Sequence, residues 1–283
     1  TLYRDVIRLA RDENARGARL RPQTTVRGVG VLFGLESGTP FDRAPSWSEL
    51  RGALAGRRLQ LLRDPTLRQR LILEADVHGS DVDPSELFVL PPGEPARYDY
   101  DPAWSLAAVA AERGVSPAAA FIELVLETDG ALVCTHPVLN RRLDAVEEML
   151  DDPIVVLGLG DAGAHVRQIT DASQSTSLLS YWVIERRRWS LEEAVRRLTS
   201  DAADLFGIRD RGRLVVGAHA DLNVIDLDAL VLHQPEFVHD LPGGAGRYVQ
   251  RADGYELTLV NGTPFTEHGE HTGALSGRLL RAR

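Results

Sequence analysis

Apolar positions in the opening stretch recur at helical spacing. Val6, Ile7 and Leu9 stand among charges over Leu2–Ala15, and Gly17 follows as a stop, which predicts an amphipathic helix. Arg19–Val26 then reads as a strand, so the chain opens as a helix–turn–strand unit. Leu32–Arg43 is a loop punctuated by glycine and proline, long enough to line a site. Helices are expected over Ser46–Leu54, Pro65–Glu74, Asp101–Arg113 and Ser116–Thr128, with Ser or Asp-Pro start signals. Gly79–Pro95, rich in turn formers and acids, reads as an exposed excursion between them. Ala131–Thr135 and Ile154–Leu157 are short apolar runs that predict buried strands, separated by an acidic-faced helix over Leu143–Leu150. Ser190, Glu192 and Glu193 form a capping box that opens a helix through Leu198.

This alternation predicts an α/β fold. Three segments, Arg19–Val26, Ala131–Thr135 and Ile154–Leu157, read as strands of a parallel barrel that needs about eight to close, so the chain supplies less than half of one. From Gly212 the pattern changes to short β-type runs, Arg213–Val216, Leu222–Ile225 and Tyr255–Val260, between Gly, Pro and Asp. The expected organisation is a partial (β/α) barrel over 1–211 and a small β unit with a tail over 212–283.

The chemistry concentrates after Ile154–Leu157, where a glycine-rich turn carries Asp161 and His165. A carboxylate at the C-terminal end of a buried strand is where barrel enzymes put their reacting groups. Asp is equally a favoured helix N-cap, and spacing alone leaves both readings open.

The stretch GLGDAGAHVRQITDASQSTSLLSYWV resembles the segment around the last barrel strand in the N-acyl-D-amino-acid deacylase (D-aminoacylase-like) branch of the amidohydrolase superfamily. The likeness continues through DRGRLVVGAHADLNVIDLDAL, DLPGGAGRYVQRADGY and VNGTPFTEHGEHTGALSGRLLR, and upstream through RPQTTVRGVGVLFGLES and LRDPTLRQRLILEA. The family usually reads Ser-Asp-Ala-Gly-Ala-His there, with Asp as metal-site ligand and proton shuttle. Asp161 takes that position, and Gly160 replaces the Ser. The resemblance implies the C-terminal part of a TIM-like (β/α)8 amidohydrolase barrel followed by part of a small β-sandwich. It also implies zinc-dependent hydrolysis of a small-molecule N-acyl amide. His165 would orient substrate or hydrogen-bond Asp161, and Gln23, Arg27 and His136 are candidate substrate-binding residues, Arg being the natural reader of a carboxylate. Asp171 and Ser173 read more simply as helix caps.

One departure is large. The family's first metal ligands are a His-x-His pair, and these 283 residues contain none. Most of the zinc site is therefore expected outside this chain, upstream of Thr1, on a complementary N-terminal segment or chain of the same barrel. Assembly into a homo-oligomer stays open. Two rival readings follow: a non-catalytic amidohydrolase-like subunit that acts by binding, and a hydrolase using Thr1 as nucleophile.

Composition narrows the field further. A net charge of −9 and a pI near 5.4 disfavour nucleic acid as a partner. No Lys occurs anywhere, which removes a lysine base, Schiff base or carboxylated bridging lysine supplied by this chain. The single Cys134, in an apolar run, permits no internal disulfide and suits a reducing cytoplasm. No apolar run approaches the ~18 residues of a membrane span. His268 and His271 sit in a glycine-rich tail and read as surface loop.

Overall fold

The computed structural model describes residues 2–54, 56–158 and 160–280. Helix α1 (Leu2–Ala15) leads to strand β1 (Gln23–Thr24) and strand β2 (Val29–Phe33). Four helices follow the expected start signals: α2 (Pro45–Gly52), α3 (Arg57–Leu62) and α4 (Pro65–His78), then, after β3 (Phe88–Leu90), α5 (Leu106–Arg113) and α6 (Pro117–Glu127). The caps are those read from the sequence. Asp64 accepts from the Thr66 N–H, and Ser116 from the Ala119 N–H, each ahead of a proline in the first turn.

Strand β4 (Val133–Leu139) corrects an expectation. It lies at the centre of an antiparallel sheet in the order β2–β4–β3, so it is not a barrel-type strand. Residues 29–139 thus form a unit inserted after β1, with its own core. There Trp47 packs 5.0 Å from Phe41, T-shaped on Phe121, and donates its indole N–H to the Leu71 carbonyl.

After the insert come α7 (Leu143–Asp151) and β5 (Val156–Leu157), which pairs in parallel with β1. Then follow α8 (Gln174–Ser177), a π-helix over Leu178–Glu185, α9 (Leu191–Leu198) and α10 (Ser200–Leu205). Ser190 caps α9 through the Glu193 N–H. Val26, Val146, Leu150, Leu178, Trp182 and Trp189 make the second core, which Leu230 joins from the C-terminal region.

That region is antiparallel. Strands β6 (Leu222–Ile225), β7 (Val231–Leu232), β8 (Glu236–Leu241), β9 (Ala245–Val249), β10 (Ala252–Asp253), β11 (Tyr255–Val260), β12 (Thr263–Glu267) and β13 (Glu270–His271) form one four-stranded sheet, β13–β12–β11–β6, and two ribbons, β10–β7 and β8–β9. The expected strand at Arg213–Val216 is absent: the segment is irregular, and Leu214, Val215 and Val216 are exposed. An isolated apolar run forms no strand without a partner edge to receive its hydrogen bonds.

Candidate active site

Two short parallel strands place the site. Gln23 stands opposite Val156 and Thr24 opposite Leu157, and the Gly158 N–H donates to the Thr24 carbonyl at 2.8 Å. Parallel strands end on the same side, so residues 24–27 and the turn 158–165 emerge together.

Past β1 the chain is held by side chains rather than by a ladder. Asn140 Nδ2 donates to Thr24 Oγ1 at 3.0 Å and Thr25 Oγ1 at 2.8 Å. Gln174 Oε1 accepts from the Val26 N–H, and the Val26 carbonyl accepts from the Trp182 indole N–H at 2.7 Å. These bonds aim Arg27 inward. Its side chain is 4% exposed, with Nη1 2.7 Å from Asp171 Oδ1 and Nε donating to Ser173 Oγ at 3.1 Å. The guanidinium lies 4.0 Å from the Tyr98 ring centroid, within cation–π range. Asp171 also accepts from the Gly30 N–H. Burial pushes the Asp171 carboxyl above its ordinary range, Arg27 pulls it back, and the negative charge of Asp161 adds a smaller push upward.

Asp171 and Ser173 are therefore tied to Arg27, not caps: α8 begins at Gln174 with no side-chain cap bond from Ser173. Asp161 caps no helix either, because residues 161–168 are turns and bends. Its side chain is exposed, on the turn that leaves β5. His165, in the same turn, is exposed in the left-handed region at φ 45°, and its carbonyl accepts from the Gln168 and Ile169 N–H groups. Gln23 is exposed beside the turn, with its Cβ 3.1 Å from where a Cβ on Gly158 would lie. His136 sits apart, half-buried on β4, its Nδ1 3.0 Å from the Glu86 carbonyl; burial lowers its pKa.

Gly160 links the turn to the buried pair. A Cβ there would lie 2.1 Å from the Asp171 backbone oxygen, so the Ser expected from the resemblance does not fit this backbone. Sequence reasoning missed Asp171, Tyr98 and Gln174, since nothing local in the sequence marks them as neighbours of residues 26–27.

Among the described residues no three His, Cys, Asp or Glu side chains converge into a set able to hold a metal ion. Asp161 alone makes no cage, because tight sites take three or four protein ligands. These residues do not by themselves fit a zinc site.

Comparison with known proteins places the chain. Residues 86–265, more than half of it and including the Asp161 turn, match the family model described as "Amidohydrolase family". An uncharacterised protein of Mycobacterium tuberculosis is 34% identical over 196 residues, covering 63% of this chain and 32% of that protein. The N-acyl-D-glutamate deacylase of Alcaligenes xylosoxydans xylosoxydans is 32% identical over 127 residues, 45% of this chain and 23% of the enzyme. Among solved structures, a D-aminoacylase aligns with TM-score 0.40 at 21% identity, over 69% of this chain and 38% of that one. An N-acyl-D-glutamate deacylase from Bordetella bronchiseptica, complexed with zinc and a phosphonate inhibitor, aligns with TM-score 0.32 at 26% identity, over 63% of this chain and 34% of that one. The chain spans about a third or less of the length of these curated relatives. The protein belongs to the amidohydrolase superfamily, in its D-aminoacylase-like branch.

Proposed function

We propose that this chain forms part of a hydrolase that cleaves the carbon–nitrogen bond of an N-acyl amino acid, with Asp161 moving the proton. One observation carries the reading: an exposed carboxylate follows directly on a parallel strand pair and is braced from beneath by a buried ion pair. A carboxylate so placed accepts the proton of the attacking water and returns it to the departing nitrogen. Gln23 and His165 flank the substrate from the same end of the strands, and Arg27 acts through Asp171 by fixing the Gly160–Asp161 backbone. His136 belongs to the inserted sheet and is the most remote of the candidates. The names of relatives, N-acyl-D-glutamate deacylase and D-aminoacylase, support an N-acyl amino acid as the substrate class.

In this reading β1 and β5 belong to a (β/α)8 barrel, residues 212–283 to a small β-sandwich, and the zinc is held by polypeptide outside these residues. Exposed apolar side chains support a complementary segment: Leu2, Val6 and Leu9 on α1, and Phe206, Leu214 and Val216 farther on, are large surfaces left open to water. The lack of a metal set among the described residues favours one alternative, a non-catalytic subunit. The test is to purify the protein with any polypeptide that accompanies it, supply zinc, and measure release of free amine from a panel of N-acyl amino acids. Zinc-dependent release supports the hydrolase; a folded, zinc-loaded protein that releases none across the panel overturns it.

A further inference from the structure

A cavity of about 490 Å³ lies between the excursion at residues 91–104, the π-helix Leu178–Glu185 and β7. Asp161, Gln23 and His165 do not line it. Its walls are aromatic, from Tyr98, Trp104, Tyr181 and Trp182, and two polar groups on them have no partner: Arg27 Nη2 and Ser177 Oγ. Both side chains are more than nine-tenths buried. A buried donor without an acceptor costs roughly 1–3 kcal/mol, which a ligand oxygen would recover. Ser177 leads directly into the π-helix, a geometry frequent at functional sites.

Charge decides the kind of ligand. Both cations at the cavity already face carboxylates, Arg27 with Asp171 and Arg97 with Asp99 at 2.6 Å, while Glu94 and Glu185 add negative charge. An anion would enter against that field. We propose that this cavity is a binding site, separate from the Asp161 turn, for a small uncharged aromatic amide. Its ring lies against Tyr98 and Trp104, and its carbonyl oxygen accepts from Arg27 Nη2 with Ser177 Oγ as second donor.

N-acetyl-L-tryptophanamide and N-acetyl-L-tryptophan, which differ in amide against carboxylate, test this by calorimetric titration of the purified protein. The amide is expected to saturate one site and to bind roughly tenfold more tightly than the acid. Trp104→Ala, at a position 41% exposed, should weaken amide binding roughly tenfold with an unchanged Tm. Ser177→Val should do so by removing a donor. No saturable amide binding would mean that solvent satisfies both donors, and the proposal fails. Equal binding of amide and acid, or binding untouched by Trp104→Ala, also overturns it; the latter places the ligand elsewhere. The readout needs no turnover, so it stands or falls independently of the hydrolase reading.

Discussion

The Arg27 guanidinium and the Asp171 carboxylate meet at 2.7 Å, with side chains only 4% and 5% exposed, although the whole inserted unit separates them in sequence. Removing one member strands a charge in the interior, whereas removing both does not. Arg27→Met or Asp171→Leu alone should cost about 3–5 kcal/mol in urea unfolding. The double variant should cost clearly less than the two combined. Additive losses would show that the pair is not coupled.

Gly160 faces the Asp171 carbonyl with no room for a Cβ. Gly160→Ser should therefore destabilise by about 1–3 kcal/mol, as overpacking against backbone does. A variant as stable as the parent would mean that the 160–171 contact yields freely. Thermal unfolding of the two proteins decides it.

Cys134 is fully buried, and burial pushes its thiol up to about 12. A neutral, enclosed thiol is a poor nucleophile. The native protein should resist an aromatic disulfide reagent at mildly alkaline pH and titrate one thiol once unfolded. Fast reaction in the native state would place Cys134 at the surface.

His136 supplies a pH dependence. Burial lowers its folded pKa below the ordinary 6.5, so on acidification the unfolded chain takes up the proton first. Its contribution is whole above pH 6.5 and is lost as pH falls toward the folded value. His136→Asn keeps a donor for the Glu86 carbonyl but does not titrate, so its stability should fall less than the parent's between about pH 7 and pH 5. Parallel curves would contradict this.

What was legible in the sequence was local. Asp64, Ser116 and Ser190 announce their helices because a cap is satisfied within three residues. Gln23–Thr24 and Val156–Leu157 show as strands by their apolar runs, but strand partners are set by the whole fold. That is why Val133–Leu139 looked like a barrel strand and proved antiparallel. Asp161 stood out through its turn. Asp171 did not, because its partner Arg27 and its neighbour Gly160 are brought to it only by tertiary packing.

The central claim is that Asp161 carries the proton. The most direct test compares kcat for zinc-dependent release of amine from an N-acyl amino acid by the parent protein and by Asp161→Asn, with Tm and zinc content measured alongside. The account predicts a loss of about 10²–10⁴-fold in kcat with the fold intact. An Asp161→Asn protein that keeps its zinc and the parent's kcat would contradict it.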